Sequence, residues 1–138
     1  MIEKYLLDAC SVIAYLTKEE GADTIETLID EAIEEDIELL IHKINFFEVF
    51  YDVWKSQGES TAAIVFSTFK KLPVTIIESI SDELMIEAAR FKTGYRVSVA
   101  DSYALATARL HGAVLITSGH REFDPVEEAG EIAFLWIR

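Results

Sequence analysis

The sequence predicts an α/β fold, with a central parallel sheet of four to five strands and helices on both of its faces. Short apolar runs alternate along the chain with segments of helical periodicity, the pattern of strand–helix–strand units. No Pro-, Gly- or Ser-rich linker, low-complexity tract or internal repeat divides the 138 residues. Hydrophobic residues make up 51% of the chain against 27% charged, a globular balance that excludes intrinsic disorder. Residues 1–138 are therefore expected to form a single domain with its own core.

Tyr5-Leu6-Leu7 reads as a buried strand ending at Asp8, and a helix is expected from Ser11 to Leu16. Ile25, Leu28, Ile29, Ala32 and Ile33 recur at i, i+3, i+4, i+7 and i+8. They place one apolar stripe on a helix whose other face is acidic. Ile37 to Ile41 reads as the second strand. Phe47, Phe50, Tyr51 and Trp54 then mark the expected buried face of a helix stopped at Gln57-Gly58. Val65, Phe69 and Leu72 line the next helix up to Pro73, and Val74 to Ile77 is β-branched enough for a third strand. Ser81 caps a helix carrying Leu84, Ala88 and Phe91, which ends at Gly94. Ser98 opens another, rich in alanine. Ala113 to Ile116 gives a fourth strand ending at Thr117, and Ile132 to Ile137 a fifth. Ligands of such sheets gather at the carboxyl ends of the strands, where Asp8 lies.

Twelve basic and 25 acidic side chains give a net charge of −13, which repels polyphosphate from most of the surface. A nucleic-acid partner then needs a bound cation or a local basic rim, and generic DNA binding is disfavoured. The longest apolar run, Ile132 to Ile137, is far short of the ~18 residues of a membrane helix. Met1-Ile2-Glu3-Lys4 leads into a stretch without the pattern of a signal peptide, so a cytoplasmic location away from membranes is expected. The single cysteine, Cys10, has no disulfide or zinc-ligand neighbour and reads as a small buried hydrophobe.

Three acids adjoin the ends of apolar segments: Asp8, Glu48 and Asp101. Each has a structural reading of its own. Asn45 to Glu48 and Ser98 to Asp101 both have the spacing of a capping box, and Asp8 suits a turn. Jointly, a strand-end acid and acids near the starts of two helices can converge on one crevice of an α/β sheet. Three close carboxylates raise one another's pKa unless a cation neutralises them, and Mg²⁺, or alternatively Mn²⁺, takes oxygen ligands while keeping waters. A metal-bound water ionising near neutral pH suits phosphodiester hydrolysis. Lys43, Lys55, Arg96 and Arg121 are candidates for the basic rim.

The ordered segments Leu6-Leu7-Asp8-Ala9-Cys10-Ser11-Val12-Ile13-Ala14, Ile44-Asn45-Phe46-Phe47-Glu48-Val49, Val97-Ser98-Val99-Ala100-Asp101-Ser102-Tyr103-Ala104 and Leu115-Ile116-Thr117-Ser118 together resemble the PIN domain family, and more narrowly its VapC-type toxins. The resemblance spans the chain from first strand to last. It implies a PIN-like three-layer α/β/α sandwich and a Mg²⁺-dependent endoribonuclease, the toxin of a toxin–antitoxin pair. Asp8, Glu48 and Asp101 match the family's first three acids, with catalytic and metal-binding roles, and Ser11, Asn45 and Thr117 fall where it places supporting polar residues. It further implies a homodimer, an RNA substrate, and a small antitoxin with a segment in the active-site groove. Lys43, Arg96, His120 and Arg121 are the candidate substrate contacts.

One departure matters. Related sequences often read Thr-Ser-Asp-His before a Glu-Phe-Asp-Pro segment, whereas this chain reads Thr117-Ser118-Gly119-His120 before Glu122-Phe123-Asp124-Pro125. A frequent fourth acid is thus replaced by Gly119. Glu122 and Asp124 read as turn residues before Pro125 unless the loop folds inward, where either could substitute for that acid, and His120 reads as a solvent-facing loop residue unless it meets a phosphate or transfers a proton. Gly119 also motivates the alternative of a catalytically impaired PIN-fold protein acting through RNA or protein contacts. A phosphoacceptor receiver domain built on Asp8 fits the order of strands and acids less well.

Overall fold

Twelve elements follow one another in the computed structural model, which describes residues 2–138; Met1, part of the segment read for a leader, lies outside the described residues. They are β1 (Glu3–Leu7), α1 (Ala9–Leu16), α2 (Ala22–Ile33), β2 (Ile37–His42), α3 (Lys43–Gln57), α4 (Glu59–Phe69), β3 (Val74–Ile77), α5 (Asp82–Gly94), α6 (Val99–His111), β4 (Val114–Thr117), α7 (His120–Glu128) and β5 (Phe134–Trp136). The five strands form one sheet in the order β3-β2-β1-β4-β5, and every pairing is parallel. Parallel strands need helical crossovers, which explains the strict alternation along the chain.

Period-2 alternation splits the sheet's side chains between two cores. Leu7, Leu39, Ile41 and Ile116 face a core shared with α1 to α4, whereas Leu6, Leu40 and Leu115 face one shared with α5 to α7. The chain is thus the expected three-layer α/β/α sandwich. β1 is central: the chain runs outward from it through β2 to β3, then crosses back to β4 on the other side of β1 and on to β5. That reversal opens a crevice between the carboxyl ends of β1 and β4.

Four expectations about elements are corrected. The α3 face marked by Phe47, Tyr51 and Trp54 is solvent-exposed, at 63%, 51% and 45%, and Asn45, Phe46, Val49 and Val53 are buried instead. Both stripes have helical spacing. The inner one wins because Phe46 stacks on Phe69 and Phe66 of α4, at ring separations of 4.7 and 5.4 Å. In α2 the stripe Ile25, Leu28, Ile29 and Ala32 is buried as expected, but Ile33 ends the helix exposed.

The segment read as a turn around Glu122 and Asp124 is helix α7, with Pro125 inside it. Pro125 forgoes only the bond to the carbonyl four residues back, and burial of Phe123 and Val126 on one face holds the helix despite that loss. The last strand is confined to Phe134–Trp136 rather than running from Ile132 to Ile137. The chain end after it packs on Gly21, where a Cβ would meet Ile137 Cβ at 2.6 Å.

Candidate active site

Four helices begin at the carboxyl edge of the sheet and bring the acids together. Asp8 leaves β1 and caps α1: its Oδ1 accepts the Ser11 amide at 2.9 Å, while Ser11 Oγ accepts the Asp8 amide at 3.1 Å. Asp101 sits in the first turn of α6 in a reciprocal box with Ser98, whose Oγ accepts the Asp101 amide at 3.1 Å. Capping and chemistry therefore do not exclude each other at these two positions, because each cap leaves carboxylate oxygen available to the crevice.

The box expected between Asn45 and Glu48 does not form. His42 is the cap of α3, its Nδ1 accepting the Ile44 amide at 3.0 Å while Nε2 lies 3.1 Å from the Ser79 carbonyl. The first bond makes Nδ1 the acceptor and leaves the proton on Nε2. Burial, the larger influence, lowers the His42 pKa and keeps the ring neutral. Asn45 is fully buried, donates from Nδ2 to the Ala100 carbonyl at 3.1 Å, and so ties α3 to the residue before Asp101. Its Oδ1 is the one buried side-chain polar atom among the described residues with no partner. Glu48 follows one turn later on the same helix.

Asp8, Glu48 and Asp101 line a single cavity of about 330 Å³, together with Cys10, Tyr51, Ser98, Thr117, Gly119 and Glu122. Segments 40 and 53 residues apart thus meet at one place. Burial raises the pKa of Asp8, which is only 4% exposed, against opposing hydrogen bonds from Thr117, the Ser11 amide and Cys10. Burial also raises Glu48, with further upward pushes from the charges of Asp101, Asp8 and Asp52. Asp101 is raised by burial, partly offset by Ser98, and feels the charges of Asp8 and Glu122. Carboxylates that each oppose the other's ionisation make a site of concentrated negative potential, which a cation relieves.

The donor set is hard oxygen, which matches a small divalent cation. Among the described residues no three His, Cys, Asp or Glu side chains stand close enough to cage an ion directly.

Of the supporting residues, Ser11 holds Asp8, Asn45 anchors α3 to α6, and Thr117 Oγ1 accepts the Gly119 amide at 3.1 Å. The candidate substrate contacts stand outside the lining. Lys43 pairs with Glu78 at 3.3 Å, and Lys55, Arg96 and Arg121 are exposed. His120 is exposed but engaged: its Nδ1 lies 2.8 Å from Asp124, its Nε2 2.8 Å from the Arg138 carbonyl, and its ring stacks 3.8 Å from Trp136. Cys10 corrects the expectation of a buried hydrophobe. It is half-buried, with Sγ 3.3 Å from Asp8 Oδ1 and 3.3 Å from Ser118 Oγ. Its place follows from its position two residues after a helix cap. Glu122 was masked by Pro125, although the i, i+3 spacing of Phe123 and Val126 signals the helix that carries it.

A family model described as the PIN domain matches residues 5–129. The chain belongs to the PIN domain family. The structure is similar to one chain of a DNA-bound VapBC from Salmonella typhimurium, with 18% identity, complete coverage of both chains and a TM-score of 0.74. VapBC2 from Rickettsia felis, bound to a promoter fragment, has 18% identity over 96% of this chain and 98% of that one, with a TM-score of 0.73. A toxin–antitoxin complex from Klebsiella pneumoniae has 23% identity, coverage of 97% and 98%, and a TM-score of 0.66. A comparison with curated proteins returns no match. Among the described residues of this PIN domain, no helix is long and apolar enough to cross a membrane.

Proposed function

We propose that this PIN domain is a metal-dependent endoribonuclease that hydrolyses RNA phosphodiester bonds and acts as the toxin of a type II toxin–antitoxin pair. The observation that carries the reading is the meeting of Asp8, Glu48 and Asp101 in one crevice at the topological switch point. Family membership supports a nuclease, and the fold shared with VapBC complexes supports the toxin role.

In this reading Asp8 and Asp101 hold the cation and Glu48 completes its surroundings, with Mg²⁺ the expected ion and Mn²⁺ the alternative. When bound, the ion lowers the pKa of a coordinated water and offsets charge on the attacked phosphate. Ser11 keeps the Asp8 carboxylate oriented through the cap, and Asn45 fixes the separation of Glu48 and Asp101 by joining their helices. Glu48, which lines the same crevice, is the candidate to take a proton from the attacking water. Lys43, Arg96, His120 and Arg121 do not line the crevice, so as substrate contacts they would meet flanking phosphates and act on affinity.

The partners of this reading are RNA, a homodimer mate and a small antitoxin. An antitoxin segment lying along the exposed apolar face of Phe47, Phe50, Tyr51 and Trp54 reaches the carboxylates through Tyr51, which borders both the face and the crevice. A second reading, a PIN-fold binder without activity, is favoured by one feature, the glycine at position 119. RNA cleavage separates them. The purified protein should cut single-stranded RNA with Mg²⁺ and stop in chelator, and Asp8→Asn should be inactive. RNA binding without cleavage by the folded wild type in Mg²⁺ or Mn²⁺ would establish the second reading.

A further inference from the structure

One buried imidazole outside the carboxylate crevice has no part in the chemistry above. The second strand ends on His42, which is 1% exposed and lies directly before α3, the helix that carries Asn45 and Glu48 in its first two turns. Helix caps favour Ser, Thr, Asp or Asn, whose oxygens accept an amide over a short reach. His42 does this with Nδ1, which accepts the Ile44 amide at 3.0 Å, while Nε2, on the far side of the ring, meets the Ser79 carbonyl at 3.1 Å. One ring thereby ties the start of α3 to the segment between β3 and α5. It also packs against Tyr103 of α6, two residues beyond Asp101, with ring centroids 5.8 Å apart.

Electrostatics require this ring to be neutral. The first turn of α3 carries no acid and opens with Lys43, so its side chains do nothing to offset the positive end of the helix. A proton on Nδ1 would remove the acceptor of the Ile44 amide and add a second cation beside Lys43 at that end. Among the described residues no carboxylate bonds to the ring in compensation. The titratable groups toward it are Tyr103 and His111 of α6, and Lys43 with Glu78, which pair with each other at 3.3 Å on the surface. Burial holds the His42 pKa below its ordinary value of 6.5, opposed by the Ser79 carbonyl and helped by His111.

We infer that His42 is a positioning residue of the nuclease: its neutral ring, bonded to Ile44 and Ser79 and packed on Tyr103, fixes the start of α3 and thereby the place of Glu48 in the crevice shared with Asp101. The bond from Asn45 to the Ala100 carbonyl, about one turn later, is the second tie of the same helix. Protonation of His42 undoes the first tie, so cleavage falls as pH drops through the lowered pKa. The inference rests on the nuclease reading above, since the place of Glu48 has a catalytic consequence only if the crevice cuts RNA.

The test compares wild type, His42→Asn, His42→Ala and Asp8→Asn in Mg²⁺-dependent cleavage of a single-stranded RNA oligonucleotide from about pH 5 to 8, with folding checked at each pH by circular dichroism. Asn keeps an acceptor near the place of Nδ1 and does not titrate; Ala removes the cap. Near neutrality His42→Ala should lose about tenfold in kcat with KM unchanged, the mark of misplaced chemistry, and His42→Asn should recover most of that loss. Carboxylate titration is common to wild type and His42→Asn, so the ratio of their kcat values isolates the imidazole. It should be constant near neutrality and fall as pH goes below 6.5. Nuclear magnetic resonance gives a readout independent of catalysis: the Ile44 and Glu48 amides should shift together with the His42 ring proton, and that component should vanish in His42→Asn. Should His42→Ala fail to fold, the kcat ratio and the amide shifts decide alone. Wild-type kcat in folded His42→Ala, a kcat ratio that ignores pH, or a Glu48 amide blind to His42 overturns the inference and leaves the nuclease reading standing when Asp8→Asn is inactive. If folded wild type cuts no RNA in Mg²⁺ or Mn²⁺, or Asp8→Asn cuts as fast, the nuclease reading is refuted and this inference with it.

Discussion

Asp8 has two separable roles, helix cap and buried carboxylate, and replacing it with Asn or Ala separates them. Asn keeps an oxygen for the Ser11 amide now bonded at 2.9 Å and removes the charge; Ala removes both. Loss of an aspartate cap costs about 1 kcal/mol, within a range of roughly 0.5–2. For a chain of this size that corresponds to about 4 °C in melting temperature. In chelator at pH 7, Asp8→Ala should therefore melt about 4 °C below Asp8→Asn. Asp8→Asn should in turn melt at or above wild type, because burial holds the Asp8 carboxyl above its ordinary value of 3.8. Between that value and the raised one, the folded state keeps a proton that the unfolded chain has released, so wild-type stability falls as pH rises through this window. The advantage of Asp8→Asn should accordingly be complete at neutral pH and vanish below the ordinary carboxyl range. Melting curves by circular dichroism across pH 3–8 give both comparisons. Equal melting of the Asn and Ala variants, or a gap between wild type and Asp8→Asn that ignores pH, would refute the reasoning.

Three further outcomes follow from the packing. Phe46→Ala should cost about 3–5 kcal/mol in urea denaturation, as for a buried ring stacked on two others, whereas Phe47→Ala, at 63% exposure, should stay within about 0.5 kcal/mol. Asn45→Ala strands the Ala100 carbonyl and should destabilise by about 1–3 kcal/mol in the same assay, with a larger fractional loss of RNA cleavage than Phe47→Ala. The bonds of His120 to Asp124 and to the Arg138 carbonyl raise its pKa above 6.5, so its contribution is fully present below pH 6.5 and is lost as pH rises through the raised value. The melting temperature of wild type minus that of His120→Gln should therefore be largest below pH 6.5 and shrink as pH rises above it.

Much of the architecture was legible because a parallel sheet writes itself as short apolar runs between helical periods, and all five strands lie within or close to those runs. What misled was local competition between equally good patterns. α3 carries two apolar stripes, and only the partner rings of Phe66 and Phe69 on α4 decide that Phe46 turns inward and Phe47 outward. α7 was hidden by Pro125, a residue that ends helices in isolation but is tolerated when Phe123 and Val126 are anchored in the core. At the candidate site, Asp8 and Asp101 are legible as acids adjoining apolar segments; Asp8, readable as a turn residue, caps α1, and Asp101 completes the expected box with the cap Ser98. For Glu48 the competing structural reading fails, since the Asn45–Glu48 spacing is not a capping box and His42 caps that helix. Glu122, readable either as a turn residue or as a substitute acid, and Cys10, readable as a buried hydrophobe, line the crevice because of the way the segment after β4 closes, which spacing does not encode.

The central claim is that acids from distant segments serve one divalent cation. A crystal of the wild-type protein soaked in Mn²⁺, with diffraction recorded near the manganese absorption edge, tests it most directly. One strong anomalous peak inside the crevice, bordered by Asp8, Glu48 and Asp101, is the expected result. Density for a fully ordered crevice with no peak there, or a peak only at acids elsewhere on the surface, would contradict the account.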